Sequence, residues 1–435
     1  AGGGTIDGYE PKAADSSITK ECDATTCRLT ADDGINNDVA YGSAGGGLAY
    51  QLDGVDTSDP EAGTAWSFVN YNIIEEVQLV GLGAAAEYGS FTGVVFNSVT
   101  KSGGNEFKGL VDAYYSNDSL SDSFSGEEFA GLNPQTKSFI DTTAQIGGPI
   151  TQDKLWFFVS GQYFKTENSD GGPIRTEESP RAFGKLSWQA NEHNNIEGWL
   201  EWDRYDIVGR GGDAVTPLEA TVTEDAPEHV GNLSWRSILS ENTILNVSYG
   251  GYDGYYYLDP QGGYDLAGRY DGLTGLYNTN ANYYYLADRQ RNQIVASLSH
   301  FADNFIKGDH DFKFGMELER STLRSRYGAP TGAWFYDNYY WGYDDPGTAA
   351  YDPAYYVTQG YYNYSYDLKG TIERESLFAQ DSWRVTPSFT VNVGVRAEFN
   401  QGSVPGDDNI FDNTAVAPRL GIAWDLTKDG KTVLK

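Results

Sequence analysis

The chain has 435 residues, enough for several ordinary domains or one large barrel. Lys and Arg number 30 against 62 Asp and Glu, and the resulting charge of −32 argues against a nucleic-acid partner, because phosphate binding needs a basic face. The most apolar run, Leu155-Trp156-Phe157-Phe158-Val159, falls far short of the roughly 20 residues of a transmembrane helix, while the low mean hydropathy of −0.50 is blind to barrels whose strands alternate.

The chain opens at Ala1 and holds a single Met, Met316, which reads as a processed form or a fragment. Residues 1–101 are rich in Gly and acidic turns, with short strand-like pieces at Leu48–Leu52 and Glu75–Val80. They read as a small mixed domain of a size that can plug a wide barrel. Cys22 and Cys27 bracket four residues and suit a small disulfide loop in an oxidising compartment. No metal site is expected, because two thiols need further ligands and His193, His229, His300 and His310 do not cluster in sequence. Asp53, Asp56 and Asp59 recur every three residues, as a calcium site or, more simply, as a polar turn ending at Pro60. Glu75, Glu76 and Glu87 either pair with wall arginines such as Arg236 or Arg396 or stay solvated.

From about Phe107 one pattern repeats: an alternating segment, then a connection. Phe389, Val391, Val393, Val395, Ala397 and Phe399 share one face, opposed by Thr390, Asn392, Gly394, Arg396 and Glu398. Period two means strand, with one apolar face and one wet face. Phe312, Phe314, Met316 and Leu318 oppose Lys313, Glu317 and Glu319; Leu420, Ile422, Trp424 and Leu426 oppose Arg419 and Asp425. Leu233 and Trp235 oppose Asn232, Ser234 and Arg236, and Ile196, Leu200 and Trp202 oppose Glu197, Glu201 and Asp203, with Trp199 the exception.

The pattern predicts strands near 107–115, 138–147, 154–164, 181–189, 195–204, 229–239, 243–252, 290–301, 310–321, 372–385, 389–400 and 417–426, with another beginning near Thr432. Connections at 148–153, 190–194, 240–242, 302–309, 386–388 and 427–431 are short. Those at 116–137, 165–180, 205–228, 253–289, 322–371 and 401–416 are longer. Short turns at one end and long loops at the other mark an outer-membrane antiparallel β-barrel. A sandwich does not sort its loops this way, a solenoid would show a fixed period, and the charged face is too rich in opposed charges to bury dry in a soluble barrel. Trp156, Trp188, Trp202, Trp235, Trp383 and Trp424 lie within a few residues of predicted strand ends, where amphipathic rings suit the headgroup level.

Several segments carry a resemblance. They are Tyr50-Gln51-Leu52-Asp53-Gly54-Val55-Asp56, Ile74-Glu75-Glu76-Val77-Gln78, Ala86-Glu87-Tyr88-Gly89 and the run from Gly93 to Asn105 that includes Lys101, Gly103 and Gly104. Together they resemble the plug domain of TonB-dependent outer-membrane receptors, most of all the Oar-like branch. Gln145–Ile150 with Lys154–Phe158, Gly308–Gly315, Phe378–Arg384 and Ala417–Gly421 resemble that branch's barrel turns and strands. The resemblance runs from about residue 45 to the end. It implies an all-β transmembrane protein: an α/β plug over 1–101 and a β-barrel over 102–435, with about 12–13 of a likely 22 strands. It also implies residence in the outer membrane of a Gram-negative bacterium, in contact with its lipid. The chain is then a ligand importer energised by a TonB-type protein and its inner-membrane complex. The signal peptide, the TonB-contacting box, the regulatory-like domain of some members and the last strands are not visible, so a fragment is expected. The alternative is an adhesin or structural barrel that transports nothing.

No catalytic constellation and no cofactor motif emerge; Gly209-Arg210-Gly211-Gly212-Asp213 lacks the strand–glycine–helix context of a phosphate cradle. Twenty-two of the 32 Tyr fall in 252–285 and 327–366. Tyr255, Tyr256, Tyr257, Tyr283, Tyr284, Tyr285, Tyr339 and Tyr340 are candidate ligand contacts, because Tyr offers rigid area with a polar tip. Loops packing on one another as a lid would use the same residues. The extracellular ligand is expected to be a peptide, a glycan or a metal chelate; the acidic surplus either disfavours an anionic one or reflects adaptation to a salty medium.

Overall fold

The computed structural model describes residues 48–434 apart from 68, 82, 121–135, 170, 340–355 and 363–364, together with the backbone of four short strands before residue 48. Those four are β1 (Ile18–Cys22), β2 (Cys27–Ala31), β3 (Val39–Ala40) and β4 (Ser43–Ala44). Hairpin β1–β2 places the backbones of Cys22 and Cys27 directly opposite each other. Their side chains, and with them the expected disulfide, lie outside the described residues.

A four-stranded sheet follows, from β5 (Ala49–Leu52), β6 (Val55–Asp56), β7 (Ile74–Val80) and β8 (Val95–Thr100), in the order β6-β5-β8-β7. Its tightest point is set by sequence. Leu52 pairs with Val55, so Asp53 and Gly54 alone make the turn, both with positive φ, 47° and 82°. Asp-Gly is the dipeptide that tolerates this two-residue hairpin. Among the described residues, helical structure here is confined to a 3₁₀ turn at Tyr71–Ile73.

The rest is one antiparallel wall of thirteen neighbouring strands. In chain order its first members are β9 (Lys108–Asn117), β10 (Thr136–Thr151), β11 (Leu155–Asn168), β12 (Arg175–Asn191), β13 (Asn194–Arg210), β14 (Val222–Ser240) and β15 (Thr243–Pro260). Two short strands, β16 (Arg269–Asp271) and β17 (Leu276–Asn278), branch off within a loop. The wall resumes with β18 (Tyr284–Ala302) and β19 (Asp309–Gly328). After loop strands β20 (Ala333–Tyr339) and β21 (Tyr356–Tyr362) it continues through β22 (Tyr366–Thr386), β23 (Phe389–Val404), β24 (Asp407–Asp425) and β25 (Val433–Leu434). Every predicted strand is present, in the predicted order.

Facing follows the alternation. Leu200, Leu233, Phe314, Leu377, Val393 and Leu420 are exposed on the outer side, while Glu201, Asp203, Glu319 and Arg396 are buried on the inner side. Trp199, the exception in its strand, points inward and packs with Phe158, Phe183, Val230 and Tyr252 around Leu52, Val55 and Ile73 of the small sheet. Among the described residues no helix is long and apolar enough to cross a membrane; the strands are what can span it.

The strands differ from expectation at the long-loop end. They run on past the apolar band, so the connections shrink to 169–174 and 211–221, and the expected loop 401–416 is a hairpin in which Val404 pairs with Asp407 around Pro405-Gly406. Beyond the bilayer both faces of a strand meet water, so the alternation lapses while the ladder continues. Trp156, Trp188, Trp235, Trp383 and Trp424 ring the short-turn end. Trp202 sits mid-strand, because β13 extends eight residues beyond it.

Candidate functional site

The small sheet lies inside the curve of the wall, and its acidic turn is the fastening. The three aspartates spaced by three each meet a different cation of the wall. Asp53 pairs with Lys185 at 3.4 Å, Asp56 with Arg291 at 2.5 Å and Asp59 with Arg289 at 2.8 Å. Arg291 also reaches Glu319 at 3.4 Å and lies over the Tyr252 ring; Arg289 also pairs with Glu61 and lies over the Trp66 ring. The Gln293 side chain accepts from the Asp56 N–H and donates to the Gly54 carbonyl. Tyr252 donates to the Ser58 carbonyl, and Ser67 donates to Glu228. Asp53 further accepts from the N–H and hydroxyl of Thr100, and the Gly54 N–H donates to Asn97. The triad forms a polar turn whose carboxylates have wall cations as their partners.

Segment Glu87-Tyr88-Gly89 is held from the other side of the curve. Glu87 pairs with Lys313, and its carbonyl accepts from Arg396 at 3.1 Å. Arg419 donates to the carbonyls of Ala84 and Tyr88, each at 3.0 Å. The Arg396 guanidinium fills the space a Cβ at Gly89 would take, 2.4 Å from its Nε, so only Gly lets the two approach. Burial, with the adjacent Glu87 carboxylate, pushes the Tyr88 phenol above its usual range. Arg396 is thus the partner of Glu87, through the backbone, while Glu75 and Glu76 are exposed.

The linker from β8 into the wall accounts for the remaining motif residues. The Lys101 N–H donates to the Ile73 carbonyl. A Cβ on Gly103 would lie 2.2 Å from the Phe157 carbonyl oxygen, whereas Gly104 faces open space. Asn105 accepts from the Asp153 N–H and from the Trp156 indole at the first short turn.

Above the small sheet, period two sorts the candidate tyrosines. Tyr256 and Tyr285 point inward. They stand edge-on at 6.1 Å, Tyr256 also meets Trp66, and Tyr285 lies within reach of Arg289 and Ser325, themselves bonded to Glu61. Tyr283 packs with them and stacks on Tyr327, which stacks on Tyr366. Tyr255 and Tyr257 point outward, 4.2 Å apart, and donate to Asp225 and Asp288. Tyr284 packs on Tyr264. Tyr339 pairs with Tyr356 through the backbone; its side chain, and all of Tyr340, lie outside the described residues. The inward set makes an aromatic vestibule over Trp66. Its cations Arg210 and Arg289 already face Glu224, Asp59 and Glu61. Trp66 escaped the sequence reading, and Tyr327 and Tyr366, counted among the loop tyrosines, were not singled out, since nothing local distinguishes these two from tyrosines that face out.

The two longest loops also join. Strand β16 of one pairs in parallel with β20 of the other, giving a second four-stranded sheet in the order β17-β16-β20-β21. Arg269 grips Asp337 through two bonds of 2.9 and 2.7 Å, while Tyr270 stacks on Tyr336 at 5.4 Å. The loops do pack on one another.

Known proteins share this architecture. The transporter Oar of Myxococcus xanthus, which is TonB-dependent, is 24% identical, covering 88% of this chain and 45% of its own length. The pyoverdine outer-membrane receptor FpvA of Pseudomonas aeruginosa superposes with a TM-score of 0.64 at 12% identity, over 89% of this chain and 54% of that one. The outer-membrane transporter YddB of Escherichia coli gives 0.61 at 14% identity, over 88% and 52%. The chain thus spans about half the length of these relatives. The family model described as outer membrane beta barrel domain matches residues 166–415, more than half of the chain. With its alternating wall, its inward-facing charges and the sheet fastened within its curve, the chain belongs to the outer-membrane β-barrel family and has the fold of TonB-dependent receptors, in the Gram-negative outer membrane.

Proposed function

We propose that the protein is the receptor of an uptake system, in which residues 1–101 form a plug, residues 102–435 belong to the barrel, and a TonB-type protein of the inner-membrane complex draws on the plug to open a path. The observation that carries this reading is the fastening itself. One small sheet is held by buried ion pairs and single hydrogen bonds to strands from β9 to β24, with little apolar core, among the described residues, outside the cluster around Leu52, Val55 and Ile73. Such contacts seat a domain firmly and let go stepwise under force. A barrel serving only as an adhesin has no use for a domain so placed. In this reading the long loops face outward from the cell, the ligand first meets the tyrosine vestibule above Trp66, and no bond chemistry is involved. The relatives' names agree: they are transporters and receptors.

The test is uptake. Cells carrying the full-length protein as the sole route for a labelled ligand should lose accumulation when the energising protein is deleted, while surface binding persists. Accumulation unchanged by that deletion overturns the reading. Binding without accumulation in either background favours the adhesin.

A further inference from the structure

Three loops at the long-loop end enclose an open cleft of about 430 Å³ that no part of the vestibule uses. They are the connections 169–174, 211–221 and 261–283. Its walls are mainly apolar: Pro173, Pro217, Leu218, Leu276 and the Tyr277 ring. Two carboxylates, Asp213 and Asp271, stand at the same cleft, and no Lys or Arg lines it.

Both carboxylates are half-engaged. One oxygen of Asp213 accepts from the Val215 N–H; one oxygen of Asp271 accepts from the N–H groups of Leu273 and Thr274. Neither residue meets a cation among the described residues. The cations nearby in sequence are committed elsewhere: Arg175 to Glu177, Arg210 to Glu224 and Arg269 to Asp337. The cleft is also preformed. The Tyr277 N–H donates to the Val215 carbonyl at 2.9 Å, the Gln261 N–H to the Thr221 carbonyl at 3.0 Å, and Gly172 lies so close to the Asp213 carbonyl that a Cβ would sit 2.1 Å from it. Little ordering entropy remains to be lost on binding.

We propose that this three-loop cleft binds a basic side chain of a peptide, with apolar neighbours of that side chain against the prolines and leucines and the cation between Asp213 and Asp271. Charge complementarity selects this occupant. A chain at −32, with no Lys or Arg lining the cleft and the neighbouring arginines already paired, repels anionic chelates, and a bare small cation has no use for apolar walls. A guanidinium or ammonium on a methylene stem, flanked by apolar residues, matches both halves of the lining. The inference deepens the receptor reading by naming a ligand class, and rests on it only for the outward orientation of these loops.

The test is calorimetry on the detergent-solubilised full-length protein with three capped tripeptides, Leu-Arg-Leu, Leu-citrulline-Leu and Leu-Glu-Leu. The arginine peptide should bind, with affinity falling as salt rises. The citrulline peptide should bind about tenfold more weakly or worse, and the glutamate peptide not at all. Asp213→Asn with Asp271→Asn should abolish the preference for Arg over citrulline. Asn keeps an oxygen to accept the same turn hydrogen bonds, so the loops should stay folded, as strand content by circular dichroism would verify. Three results each overturn the proposal: no binding of the arginine peptide, equal binding of the arginine and glutamate peptides, or an unchanged preference in the folded double variant. Arginine amide binding as tightly as the peptide overturns the peptide class. Calorimetry needs no energising protein, so failure of uptake alone would count against transport and leave this inference standing.

Discussion

At the residue scale, the outer and inner sides of the wall make opposite demands on neighbouring positions. Val393 is 43% exposed on the outer face, whereas Asn392 belongs to the inner face that also carries Arg396. Val393→Arg should cost about 2–4 kcal/mol in a folding titration of the full-length protein in lipid, if the site lies near the midplane. Asn392→Arg should be far milder, and equal costs would mean the facing is inverted. The fastening residues give a second prediction. Arg291 is 1% exposed, and Asp56→Ala leaves it with Glu319 as its remaining ion-pair partner, beside the Ser321 hydroxyl and the Tyr252 ring. Breaking a buried pair costs about 3–5 kcal/mol, and the remaining partner places this case near 3. Faster amide hydrogen exchange confined to β5–β8 would show it; unchanged exchange would show that the pair contributes nothing. Sequence exposed one half of this arrangement. The period of three in Asp53, Asp56 and Asp59 was visible, but their partners lie more than 130 positions away on β12 and β18, and only the register of the wall brings them together. The spacing of Arg289 and Arg291, two apart on one strand face, was the available signal on the other side.

At the scale of elements, strand order and facing were legible because lipid on one side and a wet interior on the other force period two. Strand length was not, since the projecting ends such as Asp407–Asn413 carry no such contrast. The loop sheet was illegible for a related reason: β16 and β17 are three residues each, too short for any period to show. Two measurements check elements directly. Gly103→Ala should destabilise the first hairpin by about 1–3 kcal/mol, because the methyl meets the backbone of Phe157. Gly104→Ala, one residue on and facing open space, is the control and should be close to neutral. An epitope inserted near Gly347, in the connection between β20 and β21, should be reached by antibody on intact cells. One inserted at the turn after Thr386 should not, and the reverse pattern would invert the barrel.

At the scale of the whole molecule, the three aspartates act together. Replacing Asp53, Asp56 and Asp59 by Asn in the full-length protein removes three charges from the seat of the small sheet while keeping side-chain size. Such cells should become more sensitive to bulky antibiotics that an intact outer membrane excludes. Unchanged sensitivity would mean that the apolar cluster around Val55 and Trp199 suffices as a seal. The loop sheet has a different consequence. Because β16 and β20 are hydrogen-bonded partners from two separate loops, neither loop is an independent module. Transplanting one alone onto a related barrel would strand half a ladder with Arg269 or Asp337 bereft of its mate. Any exchange of recognition properties, whether by recombination in nature or by grafting in the laboratory, has to carry residues 261–283 and 329–365 as a single inheritance.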